Sequence, residues 1–114
     1  MVLTVFRSRV KPEAQQEYMQ WASRMSALAK EMPGYISHKG FVAEDGEKVT
    51  IVEFESEETQ RAWSLLPEHV EAKKRGRQAF YLEYRVQVCT RDHHFSGRVH
   101  LVPVLDCPPV LAQD

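Results

Sequence analysis

Apolar and polar positions recur along this chain at spacings that change from segment to segment, and each spacing predicts an element. Residues 2–10, VLTVFRSRV, are rich in Val, Leu, Thr and Phe and end against Lys11-Pro12, as a strand stopping ahead of a helix does. From Ala14 the apolar residues fall at Tyr18, Trp21, Met25, Leu28 and Met32, in steps of three and four that mark one face of a helix. The stretch MPGY stops it, because Pro33 cannot continue a helix and Gly34 can adopt the left-handed conformation that ends one. Met19, Met25 and Met32 read as gap-filling core residues in or beside the stripe.

Two strand-like runs, residues 35–42 and 47–55, flank Glu44-Asp45-Gly46-Glu47, where Asp-Gly predicts a tight hairpin with positive φ angles. Ser56 stands where an N-cap belongs, with Glu57 and Glu58 in the first turn of a second helix whose inner stripe carries Trp63 and Leu66. Pro67 restarts a helical turn that closes on basic residues and Gly76. Across residues 79–89, Phe80, Leu82, Tyr84, Val86 and Val88 alternate with Tyr81, Glu83, Arg85 and Gln87, a period of two that predicts a strand with Tyr81 and Tyr84 on opposite faces.

The order β-α-β-β-α-β predicts the α+β ferredoxin-like fold, a four-stranded antiparallel sheet with its helices on one face. Tyr, Val and Ile occur on both sides of these strands, so the second face is expected to be covered by a second copy, giving a homodimer. Residues 1–90 form the domain. Residues 91–114 change character: RVHLVPVL carries a proline and suits an edge strand or an arm to the partner subunit, and Pro108-Pro109 suits an irregular end.

Composition narrows the function classes. The 114 residues are 43% apolar and 27% charged, enough for one core. A net charge of -1 gives no global field for nucleic acid or an anionic membrane. No apolar run is long enough to span a bilayer, and MVLTVFRSRV is too short and too arginine-rich for a signal peptide, so a cytoplasmic protein is expected. Cys89 and Cys107 lack redox or zinc spacing and read as reduced thiols.

The candidate chemistry is sparse. His69, six residues after Trp63, and His38, alternating with Ile36 and Gly40, are candidate general bases; for His69 a packed or capping imidazole is the plainer reading, and periodicity leaves open whether the face of His38 looks to the helices or to a dimer cavity. Trp63 is either a core anchor or a pocket wall. Tyr81 is a second candidate wall. Arg7 and Arg85 could hold a carboxylate or phenolate, against the alternative of cross-strand pairing with Glu53, Glu55 or Glu83. The run DHHF has no standard ligand spacing and no metal is expected. The run EAKKRGR reads as a solvated helix end.

MPGYISHKGF, EDGEKVTIVEFES followed by EETQRAW, and the later PEH, GR, FY and YRVQV together resemble the antibiotic biosynthesis monooxygenase domain over about residues 2–90. That resemblance implies a dimeric α+β barrel with a pocket between helices and sheet in each subunit. It also implies a range of activities, from cofactor-independent oxygenation of polyketide phenols to quinones, through haem degradation, to quinol or aldehyde metabolism. The haem-degrading and quinone-forming branches use an asparagine near their tryptophan, and this sequence has none. The function expected is a monooxygenase without a tightly bound organic cofactor, acting on a small electron-rich aromatic with O2. The alternatives are a non-catalytic ligand-binding module and a haem-binding enzyme.

Overall fold

The computed structural model describes residues 1–97. The elements run β1 (Val2–Val10), a 3₁₀ turn (Pro12–Ala14), α1 (Gln15–Lys30), β2 (Tyr35–Val42), β3 (Lys48–Phe54), α2 (Glu57–Ser64), α3 (Pro67–Arg75), a π turn (Gly76–Phe80) and β4 (Tyr81–Thr90). The strands form one antiparallel sheet in the order β2-β3-β1-β4. This is the ferredoxin-like α+β fold that the sequence pattern predicts. No helix among the described residues is long and apolar enough to cross a membrane.

Register decides which side chains meet the helices. Thr4 stands opposite Val52 and Val88, and Val52 opposite His38, so the even-numbered residues of these strands share the helix side. The odd-numbered set, including Val5 opposite Ile51 and Arg7 opposite Val49 and Arg85, lies on the far side. One core cluster joins Met25 and Ala29 of α1 to Val52, Phe54 and Trp63. A second joins Val10, Ala14 and Tyr18 to Phe80. Trp21 packs against both clusters from α1.

Helix ends follow local chemistry. The Ser56 side chain accepts from the Thr59 N–H at 3.2 Å while the Thr59 hydroxyl accepts from the Ser56 N–H, a reciprocal cap that starts α2. Paired forks hold α3 over α1: Arg24 donates to Glu68 at 2.7 and 3.1 Å, and Arg75 to Glu17 at 2.8 and 3.0 Å.

Four details depart from the sequence pattern. The β2–β3 hairpin is longer than a two-residue turn: the Gly46 N–H reaches the Ala43 carbonyl and Ala43 N–H the Glu47 carbonyl, and only Gly46 has positive φ, the geometry of a three-residue loop ending in a bulge. Met19 is exposed, because it follows Tyr18 by one position and so lies about a quarter turn round from the buried stripe. Gly76 does not end α3 in a left-handed cap; its φ is -58° and the helix runs on into the π turn, which claims Phe80. Last, β4 carries a bulge, since Arg9 opposes Glu83 while Val10 opposes Tyr81 and leaves Leu82 unpaired between them. Residues 91–97 follow β4 without regular structure, and the expected arm RVHLVPVL lies outside the described residues.

Candidate functional site

A cavity of about 330 Å³ opens between the sheet and the helices, where the two core clusters fail to merge. Met25, Val52 and Trp63 contribute to it from one cluster, Tyr18 and Phe80 from the other. Toward β4 its wall is Tyr84, Val86 and Val88, which stay about half exposed.

Trp63 is both core anchor and cavity wall: it is buried, its indole N–H reaches the Met25 carbonyl at a long 3.4 Å, and its ring borders the opening. The two candidate histidines meet on it. His69, carried by the first turn of α3, sets its ring edge-on to Trp63 with centroids 4.3 Å apart, and His38 of β2 approaches it at 5.9 Å. The His69 Nδ1 is buried and has no hydrogen-bond partner. Burial first, and the Lys73 charge second, lower the His69 pKa to about 4; burial likewise lowers that of His38. Both imidazoles are therefore neutral at pH 7 and able to accept a proton.

Tyr81 lines the cavity together with Tyr84, with ring centroids 5.6 Å apart. The bulge at Leu82 is the reason: one extra residue removes the alternation that would have placed them on opposite faces. Phe6 and Tyr18 complete an aromatic cage around Tyr81, whose hydroxyl pKa is raised mainly by burial. Gly76 permits that packing, since a Cβ there would lie 2.4 Å from the Tyr81 ring.

Arg7 and Arg85 do not border the cavity. Both are on the far side of the sheet, where Arg7 forks onto Glu47 at 3.0 and 3.1 Å and not onto the strand carboxylates; Arg85 is exposed. The cations that do border it are Lys73 of α3 and Arg77 of the π turn. Lys73 Nζ donates to the Ser64 hydroxyl at 2.6 Å and the Ser64 carbonyl at 2.9 Å. Thr4, whose buried hydroxyl lacks a partner, and Trp21, which the sequence pattern marks only as a stripe residue of α1, also border the cavity. His69, Lys73 and Arg77 are spaced four apart, the helical interval that marks a shared face. Among the described residues no carboxylate lines the cavity.

Benzene fills a cavity of about 150 Å³, so this one accommodates roughly two or three fused rings. No cluster of three or more metal-ligating side chains occurs among the described residues.

A protein-family model described as antibiotic biosynthesis monooxygenase matches residues 1–75. The uncharacterized protein YqjZ of Bacillus subtilis (strain 168) is 33% identical over 88 residues, 77% of each chain. Among solved structures, Rv0793 of Mycobacterium tuberculosis superposes with a TM-score of 0.75 at 17% identity, covering 83% of this chain and 98% of that one. SnoaB of Streptomyces nogalater, described as a cofactor-independent oxygenase, gives 0.65 at 20% identity, covering 88% and 95%. A Deinococcus radiodurans protein described as a putative antibiotic biosynthesis monooxygenase gives 0.76 at 9%, covering 87% and 100%.

Proposed function

The chain belongs to the antibiotic biosynthesis monooxygenase family, and on that premise we propose that it oxygenates a small electron-rich phenol or quinol with O2 and no organic cofactor. The observation that carries this reading is the His69 imidazole, neutral and set edge-on to Trp63 at the wall of a largely apolar cavity that no carboxylate among the described residues lines. The description of SnoaB as a cofactor-independent oxygenase adds support for the chemistry.

In this reading the substrate lies between Trp63 and the Tyr81–Tyr84 wall. His69 takes the phenolic proton, with His38 as the second acceptor on the same ring, and the nearby Lys73 charge favours the phenolate. The electron-rich anion then reduces O2. A ring carbon gains a C–O bond and loses its proton, the O–O bond breaks, one oxygen remains as the quinone carbonyl and the other leaves as water. The four electrons come from the substrate, so no further reductant enters. The protein supplies desolvation and position.

Residues 1–90 make up the catalytic domain in this reading and residues 91–114 an appended segment. Leu3, Val5, Val49 and Ile51, half-buried on the far side of the sheet beside exposed Phe41, support a homodimer whose sheets pack into an α+β barrel. A cytoplasmic setting suits the free thiol of exposed Cys89. The test is oxygen consumption by purified protein with a panel of phenols and quinols, run beside His69→Gln. Uptake abolished by the substitution supports the reading; no uptake with any member of the panel overturns it.

A further inference from the structure

The charge lining the cavity exceeds what a simple phenol uses. Of the guanidinium groups near this face, Arg24 and Arg75 are each matched to a glutamate. Arg77 is not: it borders the cavity, is exposed, and makes no ion pair with a described residue. Lys73 stands beside it with two protons committed to Ser64, and no carboxylate among the described residues lines the cavity to balance either charge. The two cations also repel, since the Arg77 charge is one of the causes, after burial, that lower the Lys73 pKa. An arrangement of like charges at a largely apolar cavity is relieved by an anion. If a phenolate answers the charge of Lys73, that of Arg77 remains.

We infer that the ligand of this cavity is an aromatic hydroxy acid, its rings between Trp63 and Tyr81–Tyr84 and its carboxylate held at the rim by Arg77. Arginine suits the task because its planar fork matches both oxygens of a carboxylate, and an exposed rim position spares the acid full desolvation. The inference rests on the reading of this cavity as a substrate site, and it fixes the substrate class.

Binding, not turnover, tests it. Calorimetric titration of the full-length protein with 1-hydroxy-2-naphthoate and with 1-naphthol compares the same rings with and without the acid. The acid is expected to bind about tenfold more tightly, a difference that narrows as salt is raised. Arg77→Ala is expected to reduce the acid to the affinity of the naphthol, and Arg77→Lys to retain part of the preference; both change an exposed side chain with no described partner, so the fold survives. Equal affinities in the wild type, a preference that outlasts Arg77→Ala, or binding of neither compound overturns the inference. Acid-selective binding without oxygen uptake would leave the inference standing and sink the oxygenase reading, while uptake with no preference for the acid would do the reverse.

Discussion

The ring of His69 meets the ring of Trp63 edge to face at 4.3 Å, and the nitrogen His69 leaves without a partner is buried beside the cavity. An imidazole fixed against an indole is positioned before any ligand arrives, as a base for proton abstraction must be. His69→Gln keeps a polar group of similar reach and removes the proposed base. Oxygen uptake with a phenol substrate is expected to fall by about a hundredfold or more, and His38→Gln is expected to cost less. An oxygen electrode reads the rates, and circular dichroism confirms that both variants fold.

The acid stability of the fold follows from the same histidine. Its pKa is about 4 in the folded chain against an ordinary 6.5, so between those values the unfolded chain takes up a proton that the folded chain refuses. Stability is therefore full above pH 6.5 and falls as pH drops toward 4, with His69 accounting for roughly 3 kcal/mol. Carboxylates such as Glu17 and Glu68, whose pKa values are lowered by their arginines, lose stability in acid too. Urea titrations of wild type and His69→Gln at pH 7 and pH 4.5 isolate the histidine: the gap between the two pH values is expected to shrink in the variant.

Trp63 holds one core cluster together and walls the cavity, so its size matters twice. Trp63→Ala is expected to cost about 3 kcal/mol by removing a buried aromatic. Trp63→Phe is expected to cost about half as much while widening the cavity, so ligand affinity falls by more than stability does. Thermal melts and calorimetric titration separate the two effects.

Gly76→Ala places a methyl group 2.4 Å from the Tyr81 ring. That ring is caged by Phe6, Tyr18, Phe80 and Tyr84 and has little room to yield. A loss of about 1–3 kcal/mol is expected, by the usual cost of overpacking. Urea denaturation measures it; an unchanged midpoint would mean that the cage is looser than its packing indicates.

Periodicity revealed the regular parts of this fold because burial enforces it. The helical stripe from Tyr18 to Met25, the strand register through Val52 and the cap at Ser56 each have a residue whose chemistry admits one arrangement. The site was half legible for the same reason: Trp63, His69, His38 and Tyr81 stand out as residue types. Arg7 drew attention as a strand arginine, but its neighbour Glu47 sits in a hairpin loop that spacing rules do not pair with it. Lys73 and Arg77 were hidden in a basic run that resembles any solvated helix end, although their interval of four from His69 was visible. Tyr81 joins Tyr84 on the cavity side through a bulge, and no alternation rule can register an unpaired Leu82.

The π turn at Gly76–Phe80 and the bulge at Leu82 bracket Tyr81, and each inserts one residue into an otherwise regular element. The wall they set depends on how many residues separate Arg75 from Glu83 as much as on which residues these are. A substitution in the segment acts at its own position, whereas loss of a single position changes phase and turns an aromatic wall outward. A lineage of such chains can therefore exchange residues at its open positions more readily than it can shorten the segment.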